Sequence, residues 1–183
     1  DAFKQNGREQ LKEIILQNIH HPSVAMWGIF SLLRGRSADL MGYVKELNKL
    51  AKSTDPSRLT VACSNSDGDI NFITDLIVLR QDVGLYKGLV DDVAVWCQQL
   101  KDPRWAHMRY AVCYGEEGNI THMADRVERA TRGTRHLPER RQRYMHERYA
   151  ANIEAEGNFW GVWLDNMFDY ASRESTSGMR ESG

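Results

Sequence analysis

Residues 23–30 read SVAMWGIF, a continuous apolar run of the length of one strand. Such a run is typical of a strand that is covered on both faces, as in the parallel sheets of α/β proteins. Residues 7–19, GREQLKEIILQNI, precede it and place Leu11, Ile14 and Ile15 at helical spacing. The two segments together predict an amphipathic helix followed by a buried strand.

The same order of helix and strand repeats along the chain and predicts a parallel sheet with right-handed crossovers. This pattern leaves two architectures open, a doubly wound sheet and part of an eight-stranded barrel. No GxGxxG or GxxxxGK[ST] motif follows a strand, which disfavours nucleotide binding and favours the barrel. The further predicted helices cover 38–53, 86–101 and 137–156, with a helical turn at the start of 69–80, and the further strands cover 58–64, the end of 69–80, 107–115 and 158–165.

The composition indicates a globular protein without a strong electrostatic field. The chain has 183 residues, of which 42% are hydrophobic and 27% charged, enough for one domain or part of a larger one. Its 24 basic and 25 acidic residues give a net charge of -1, so neither nucleic acid nor a membrane surface is an expected partner. No apolar run approaches the roughly 20 residues of a membrane span, and no signal-peptide core is visible. We expect a soluble chain and assign no compartment.

The cysteines and histidines do not form a metal-binding or redox motif. Cys63, Cys97 and Cys113 share no short spacing, so free thiols are expected rather than a CxxC site. The six histidines include neither an HxxxH nor an HExxH pattern. We therefore expect no bound metal and no cofactor.

Five blocks of sequence resemble, in order, the catalytic barrel of glycoside hydrolase family 2 in its β-galactosidase branch. The blocks are NIHHPSVAMWGIF (18–30), RLTVACSN (58–65), NFITDLIV (71–78), YGEEGNITH (114–122) and FWGVWLDNMFDYAS (159–172). The resemblance implies an α/β fold of the (β/α)8 TIM-barrel type, present as a partial barrel of about five parallel strands that correspond to strands four to eight. Residues 1–172 would form this partial barrel domain and residues 173–183, rich in Ser, Gly and Arg, a flexible tail.

The resemblance also implies hydrolysis of β-galactosides with retention, which needs two carboxylates on two strand ends. Relatives carry the acid in an NE pair after the fourth barrel strand, where this chain has Ser31 and Leu32. Leucine cannot transfer a proton, so the catalytic acid is missing at this position. Relatives carry the nucleophile in SEYG, where this chain has Cys113, Tyr114 and Gly115. If the loop is shifted, Glu116 is the candidate nucleophile, with its neighbour Glu117 as the alternative. The remaining alternative is that neither glutamate serves.

Other positions expected around the sugar also depart from the family pattern. Where relatives read WNxYFGWY this chain reads LRQDVGLY over residues 79–86, and where they have Trp before NMFD it has Asp165. Asp82 and Asp165 are candidate bases or, alternatively, solvated loop acids. Leu32 and Leu85 could instead cover apolar surface of a truncated barrel. The candidate substrate-binding residues are His122, Asn65, Asp165, Asp82 and Tyr86, while Trp160, Trp163 and Phe168 are expected in the barrel wall.

Three hypotheses about function follow from these departures. The first is a family 2 glycosidase that is weak or inactive because of Leu32, with a β-galactoside or another carbohydrate as its ligand. The second is an engineered barrel fragment with a pocket rebuilt for another ligand or reaction. The third is a non-catalytic half-barrel, completed by a second chain or by self-association, because five strands cannot close an eight-stranded barrel.

Overall fold

The structure is a computed structural model, which describes residues 2–33, 37–85, 87–115, 122–123, 126 and 138–165. Helices and strands alternate along the chain, as the sequence predicts. The helices are α1 (Ala2–Asn18), α2 (Ala38–Thr54), α3 (Val93–Gln99) and α4 (Glu139–Glu156), and the strands are β1 (Met26–Ser31), β2 (Leu59–Ser64), β3 (Leu76–Arg80), β4 (Arg109–Tyr114) and β5 (Phe159–Leu164). Short 3-10 turns cover Asp69–Phe72, Val90–Asp92 and Pro103–Trp105.

The five strands form one parallel sheet in the order β1-β2-β3-β4-β5. Met26 of β1 lies opposite Leu59 of β2, and Val61 of β2 lies opposite Leu76 of β3. A doubly wound sheet reverses its strand order at a switch point, whereas a barrel adds each new strand beside the previous one. The sequential order therefore selects the barrel over the doubly wound sheet, and the predicted fold class is confirmed.

Side-chain burial differs between β3, in the middle of the strand order, and β5, at its end. In β3, Leu76, Ile77, Val78 and Leu79 are each 7% exposed or less, as expected for a strand covered on both faces. In β5, the last strand in the order, four apolar side chains are 36–55% exposed. Trp160 and Trp163 are among them, so they are less covered than the sequence pattern predicts. A barrel-wall side chain is buried by neighbouring strands, and β5 has a neighbouring strand only on the β4 side of the described sheet.

The chain divides into two compact units, which are described separately. Unit 1 comprises Asp1–Leu79 with Met108–Tyr110, and unit 2 comprises Arg80–His107 with the residues from Ala111 onward. In unit 1, Ile15 of α1, Trp27 of β1 and Ala51 of α2 form the core, each 5% exposed or less. Ile14, at the edge of the predicted apolar stripe, is 53% exposed.

A buried carboxylate holds unit 1 together at the amino ends of its strands. Asp55, between α2 and β2, is 1% exposed and accepts hydrogen bonds from Trp27 Nε1 at 2.9 Å and from Arg58 Nη1 at 2.7 Å. Arg58 also donates to the carbonyl oxygen of Val24. Hydrogen bonds from Ser57 and Arg58 hold the pKa of Asp55 far below its usual range, although burial acts in the opposite direction. The network therefore requires the ionised carboxylate.

We expect Asp55→Asn to lower the melting temperature at pH 7 by several degrees. The pKa of Asp55 is lower in the folded chain than in the unfolded chain, so the ionised carboxylate stabilises the fold. This stabilisation is complete at neutral pH. It is lost as the pH falls below about 3.9, the ordinary value for an aspartate. Thermal unfolding of wild type and Asp55→Asn between pH 2 and 7 measures both effects. Asp39→Asn is the control, because Asp39 is 77% exposed in its ion pair with Lys4. Equal melting of wild type and Asp55→Asn at pH 7 would contradict the role of the network.

In unit 2, α3 and α4 pack against β4 through a core that includes Val93, Cys97, Val112, Met145 and Tyr149. These five side chains are each 3% exposed or less. The core also contains the fully enclosed Arg141 of α4, which donates to the carbonyl oxygen of Gly84. The helix ends at Gly157, whose φ of 71° is the left-handed conformation that glycine adopts without strain.

The structure shortens the helix that the sequence predicts over 86–101. The α-helix α3 covers only Val93–Gln99, after a 3-10 turn at Val90–Asp92. Gly88 has a φ of 64°, and the carboxylate of Asp92 accepts a hydrogen bond from the backbone N–H of Leu89 at 2.7 Å. These two features favour a turn where the apolar spacing suggests a helix.

The three cysteines are free thiols, as predicted. Cys97 is buried, and its burial raises the pKa of the thiol to about 11. Among the described residues, none of the helices combines the length and the hydropathy needed to cross a bilayer.

Candidate functional site

Leu32, at the expected position of the catalytic acid, directly follows β1. Its φ is 50°, and within the described ranges it is the one residue other than glycine with a positive φ. Its backbone N–H donates to the carbonyl oxygen of Cys63 at 2.9 Å, and its side chain is 40% exposed. The end of β1 thus presents an aliphatic side chain in a conformation that costs about 1–2 kcal/mol for an L-residue.

The end of β2 carries amides and hydroxyls. Asn65 follows the strand and is exposed. Ser64 is buried, and its Oγ lies 3.3 Å from the backbone nitrogen of Ser66, which donates to it. Asn71 is 1% exposed and donates from Nδ2 to the carbonyl oxygen of Ser66 at 2.8 Å. Asn71, which the sequence analysis did not single out, therefore fixes the loop that presents Asn65.

In unit 2, five side chains meet at the carboxyl ends of β3, β4 and β5. Arg80 donates from Nη1 to the carboxylate of Asp165, and the same nitrogen lies 3.8 Å from Sγ of Cys113. Nε of Arg80 lies 4.0 Å from Oδ1 of Asp82. The other carboxylate oxygen of Asp82 lies 3.7 Å from Nζ of Lys87. Arg80, Asp82, Lys87, Cys113 and Asp165 are called the carboxyl-end cluster.

The charges of the carboxyl-end cluster balance one another. Burial acts to lower the pKa of Arg80, but the hydrogen bond and the charge of Asp165 outweigh it, and the pKa is raised. Burial raises the pKa of the Cys113 thiol, although the charge of Arg80 opposes this shift. Cys113 is therefore a protonated thiol at neutral pH and lacks the activation of a catalytic nucleophile.

Gly115 allows the backbone after β5 to approach the end of β4. The backbone N–H of Asp165 donates to the carbonyl oxygen of Tyr114 at 3.0 Å. A Cβ atom placed on Gly115 would lie 1.9 Å from the carbonyl oxygen of Asp165, which is backbone and cannot rotate away. Glycine at position 115 therefore allows Asp165 to lie close to the end of β4, where it contacts Arg80.

We expect Gly115→Ala to destabilise the protein by about 1–3 kcal/mol, the usual cost of overpacking. Gly161→Ala is the matched control, because a Cβ on Gly161 of β5 would meet no atom within 4 Å. Urea unfolding of wild type and both variants measures the difference. A loss for Gly161→Ala as large as that for Gly115→Ala would mean that the close approach is not responsible.

Tyr114 points to the opposite face of β4 from Cys113, as neighbouring residues of a strand do. Its ring stacks on Tyr149 of α4 at a centroid distance of 4.0 Å, and its hydroxyl lies 3.4 Å from Nδ1 of His146. Burial lowers the pKa of His146 and raises that of Tyr114, so both side chains are neutral at pH 7. The contact anchors the end of β4 to α4.

We expect the protein to lose stability as the pH falls through about 6.5, where a histidine in an unfolded chain takes up a proton. Because burial lowers the pKa of His146, the folded chain binds this proton less readily, and acid favours unfolding. His146→Gln should reduce the dependence of the melting temperature between pH 5 and 7. An unchanged dependence in this variant would assign the effect to another group.

Three predicted site residues lie outside the described residues: Glu116, its alternative Glu117, and Tyr86. Phe168, expected in the barrel wall, also lies outside them. His122 is described and half-buried, whereas Asp82 and Asp165 both belong to the carboxyl-end cluster. The contact of Arg80 with Asp165 was missed by sequence reasoning. Its only signal was that both residues depart from the glycosidase pattern. Within the described ranges, no group of three or more His, Cys, Asp or Glu side chains is arranged to hold a metal ion.

The sequentially wound parallel sheet, with polar side chains at strand carboxyl ends, defines a segment of an α/β barrel of the kind that enzymes use. The homologues of the chain are β-glucuronidases and β-galactosidases, so the resemblance to such glycosidases is confirmed. A β-glucuronidase of Bacteroides fragilis is 34% identical over 180 residues, which cover 98% of this chain and 26% of that protein. No family model matches the chain.

Solved structures of related proteins superpose on nearly the whole of this chain. A Bacteroides fragilis protein provisionally named a β-galactosidase superposes with a TM-score of 0.85 at 27% identity, over 98% of this chain and 27% of that one. An FMN-binding β-glucuronidase of Faecalibacterium prausnitzii gives a TM-score of 0.83 at 27% identity, over 98% and 28% of the two chains. Two curated relatives match this chain over nearly all of its length, and the chain spans about a quarter of the length of each.

Proposed function

We propose that this chain is a glycoside hydrolase family 2 barrel segment that binds β-glycosides, β-galactosides among them, and hydrolyses them weakly or not at all. The observation that carries the proposal is Leu32, which follows β1 with a 40% exposed aliphatic side chain where the glycosidase pattern has its acid. A retaining glycosidase needs a group that protonates the leaving oxygen. General acid–base catalysis is commonly worth about 10²–10⁴-fold in rate, so its loss alone accounts for a nearly inactive site.

The nucleophile position supports the same proposal. Cys113 stands directly before Tyr-Gly, where the glycosidase pattern has Glu. Its thiol has a raised pKa and does not replace a carboxylate. Glu116 remains the candidate nucleophile, and its test is mutational. In this proposal the sugar contacts come from His122, Asn65, Asp82, Asp165 and Tyr86, in a barrel segment over residues 1–172.

We expect the wild-type chain to show weak or no turnover of 4-nitrophenyl β-galactoside and 4-nitrophenyl β-glucuronide. Leu32→Glu combined with Ser31→Asn restores the NE pair and should raise turnover by about 10²-fold or more, provided that a closed barrel forms. Leu33→Glu is the matched control, because it adds the same carboxylate one residue away.

Two results would contradict this proposal. Wild-type turnover as fast as that of Leu32→Glu with Ser31→Asn, and lost in Glu116→Gln, would show a fully working glycosidase with an acid from elsewhere. Absence of rescue by Leu32→Glu with Ser31→Asn in a demonstrably closed barrel would show that the strand assignment is wrong.

A second candidate function, a half-barrel that assembles with a partner, is supported by the exposed apolar side chains of β5. Trp160, Val162, Trp163 and Leu164 are 36–55% exposed on a strand at the end of the sheet order. An exposed strand edge of this kind favours pairing with another chain. Light scattering after size-exclusion chromatography tests this candidate, since a strictly monomeric chain would argue against completion by self-association.

The third possibility, a pocket rebuilt by selection or by engineering for another ligand, is supported by the contact between Arg80 and Asp165. Both residues replace other residue types of the glycosidase pattern, and they form one ion pair. The ligand that such a pocket would select is the remaining question.

A further inference from the structure

We propose that Arg141 and Tyr149 of α4 are positioning residues for the candidate site. They hold the segment that follows β3, which comprises residues 82–85 and 87 and is called the β3 loop. The β3 loop places Asp82 in the carboxyl-end cluster. The inference deepens the proposed function and rests on it for the role of Asp82 as a sugar contact. The hold on the loop rests on the geometry of unit 2 alone.

Two adjacent carbonyl groups of the β3 loop accept hydrogen bonds from the same helix. Nη2 of Arg141 donates to the carbonyl oxygen of Gly84. The hydroxyl of Tyr149 donates to the carbonyl oxygen of Val83 at 2.9 Å. The partners are 57 and 66 residues apart in sequence, so these contacts join two separate segments of unit 2. Gly84 is buried, and a buried backbone carbonyl needs such a partner.

The two donors belong to the buried stripe of α4. The buried side chains of this helix recur every four residues and are Arg141, Met145, Tyr149 and Ile153. Arg141 and Tyr149 are 1% exposed or less. An aliphatic side chain would fill position 141 without the cost of enclosing a guanidinium, a group that proteins seldom bury. The hydrogen bonds to the β3 loop give a reason for polar groups at these two positions.

The β3 loop is closed by hydrogen bonds of its own. The backbone N–H groups of Leu85 and Lys87 both donate to the carbonyl oxygen of Asp82 at 3.1 Å. The backbone N–H of Gly84 donates to the carbonyl oxygen of Lys87 at 2.7 Å. Gly84 has a φ of 82°, and a Cβ atom on it would lie 2.9 Å from Cα of Val90. Because the loop is closed and closely packed, displacement of its carbonyl groups would move Asp82 as well.

Asp82 is thus fixed from both sides along the chain. Just before it, the backbone N–H of Gln81 donates to the carbonyl oxygen of Cys113 on β4 at 2.9 Å. Just after it, α4 holds the two carbonyl groups described above. The carboxylate then lies 4.0 Å from Nε of Arg80 and 3.7 Å from Nζ of Lys87. A binding group needs a fixed direction of this kind, and the residues behind it supply it.

The first test compares Tyr149→Phe with Tyr144→Phe in the full 183-residue chain. Each change removes one hydroxyl of α4 and keeps the ring, but the hydroxyl of Tyr144 donates to Asp91, outside the β3 loop. We expect hydrogen exchange of the Gly84 and Lys87 amides, measured by NMR, to accelerate about fivefold or more in Tyr149→Phe. Tyr144→Phe should leave these two rates unchanged. A general loss of stability would affect both variants alike.

Arg141→Met tests the second donor in the same way. Arg140→Met is its matched control, because Arg140 is the exposed neighbour on the same helix. We expect the same two amides to exchange faster in Arg141→Met and at the wild-type rate in Arg140→Met. Thermal unfolding establishes that each variant is folded, and the comparison of Tyr149→Phe with Tyr144→Phe decides should Arg141→Met not fold.

The second test asks whether Tyr149 acts through Asp82. The probe is isopropyl β-thiogalactoside, a non-hydrolysable β-galactoside, in a calorimetric titration. We expect Tyr149→Phe to weaken its binding about threefold or more, the size of effect that a lost hydrogen bond produces. Tyr144→Phe should leave it unchanged. In the Asp82→Asn background, Tyr149→Phe should have no further effect, since a residue that acts only through another is coupled to it in a double-mutant cycle.

The proposal is overturned if the Gly84 and Lys87 amides exchange no faster in Tyr149→Phe than in Tyr144→Phe. It is also overturned if Tyr149→Phe weakens binding equally with Asp82 and with Asn at position 82. Absence of binding to the wild-type chain would refute the proposed sugar contact, while the exchange rates still decide whether α4 holds the β3 loop. The two can therefore fail separately.

Discussion

The five described strands run in the same direction, and parallel neighbours require a connection that returns the chain to the amino end of the sheet. Two consequences follow. Where a strand is covered on both faces, as β3 is, its middle must be apolar, and Ile77 is fully buried there. The residues just after each strand are not part of the packed core, so their types can change without loss of the fold. Leu32 and Asp165 stand at such positions.

This constraint also explains which parts of the fold the sequence could predict. Buried strands are predicted from local composition. Four of the five lie within three residues of their predicted limits, and β3 lies at the end of 69–80, as predicted. The start of α3 depended on Gly88 and on the side chain of Asp92, which override apolar spacing. The exposure of Trp160 and Trp163 depended on which strands are neighbours of β5, and periodicity contains no such information. Local sequence patterns thus predict the helices and strands, whereas the burial of a strand's side chains depends on which strands lie beside it.

The same division holds for the candidate site. The proposal that Leu32 replaces the acid concerns a single residue, so it could be drawn from the sequence. The contact of Arg80 with Asp165 joins positions 85 apart, and no spacing rule within a helix or strand could reveal it. Asn71 was missed for a related reason, because it acts by holding the carbonyl oxygen of Ser66 in a loop. A residue whose expected role depends only on its own type can be singled out from the sequence. A residue whose role depends on a contact with a distant residue cannot.

The backbone at Leu32 is held by the neighbouring strand. A leucine with a φ of 50° is strained by about 1–2 kcal/mol, and such strain persists only where the surrounding structure imposes it. Here the hydrogen bond from its N–H to Cys63, on the neighbouring strand β2, imposes it. The conformation is therefore set by strand pairing and is independent of the side chain. A glutamate placed at position 32 would meet the same backbone that leucine now occupies, so substitution of this one side chain can change the chemistry of the strand end without changing its conformation.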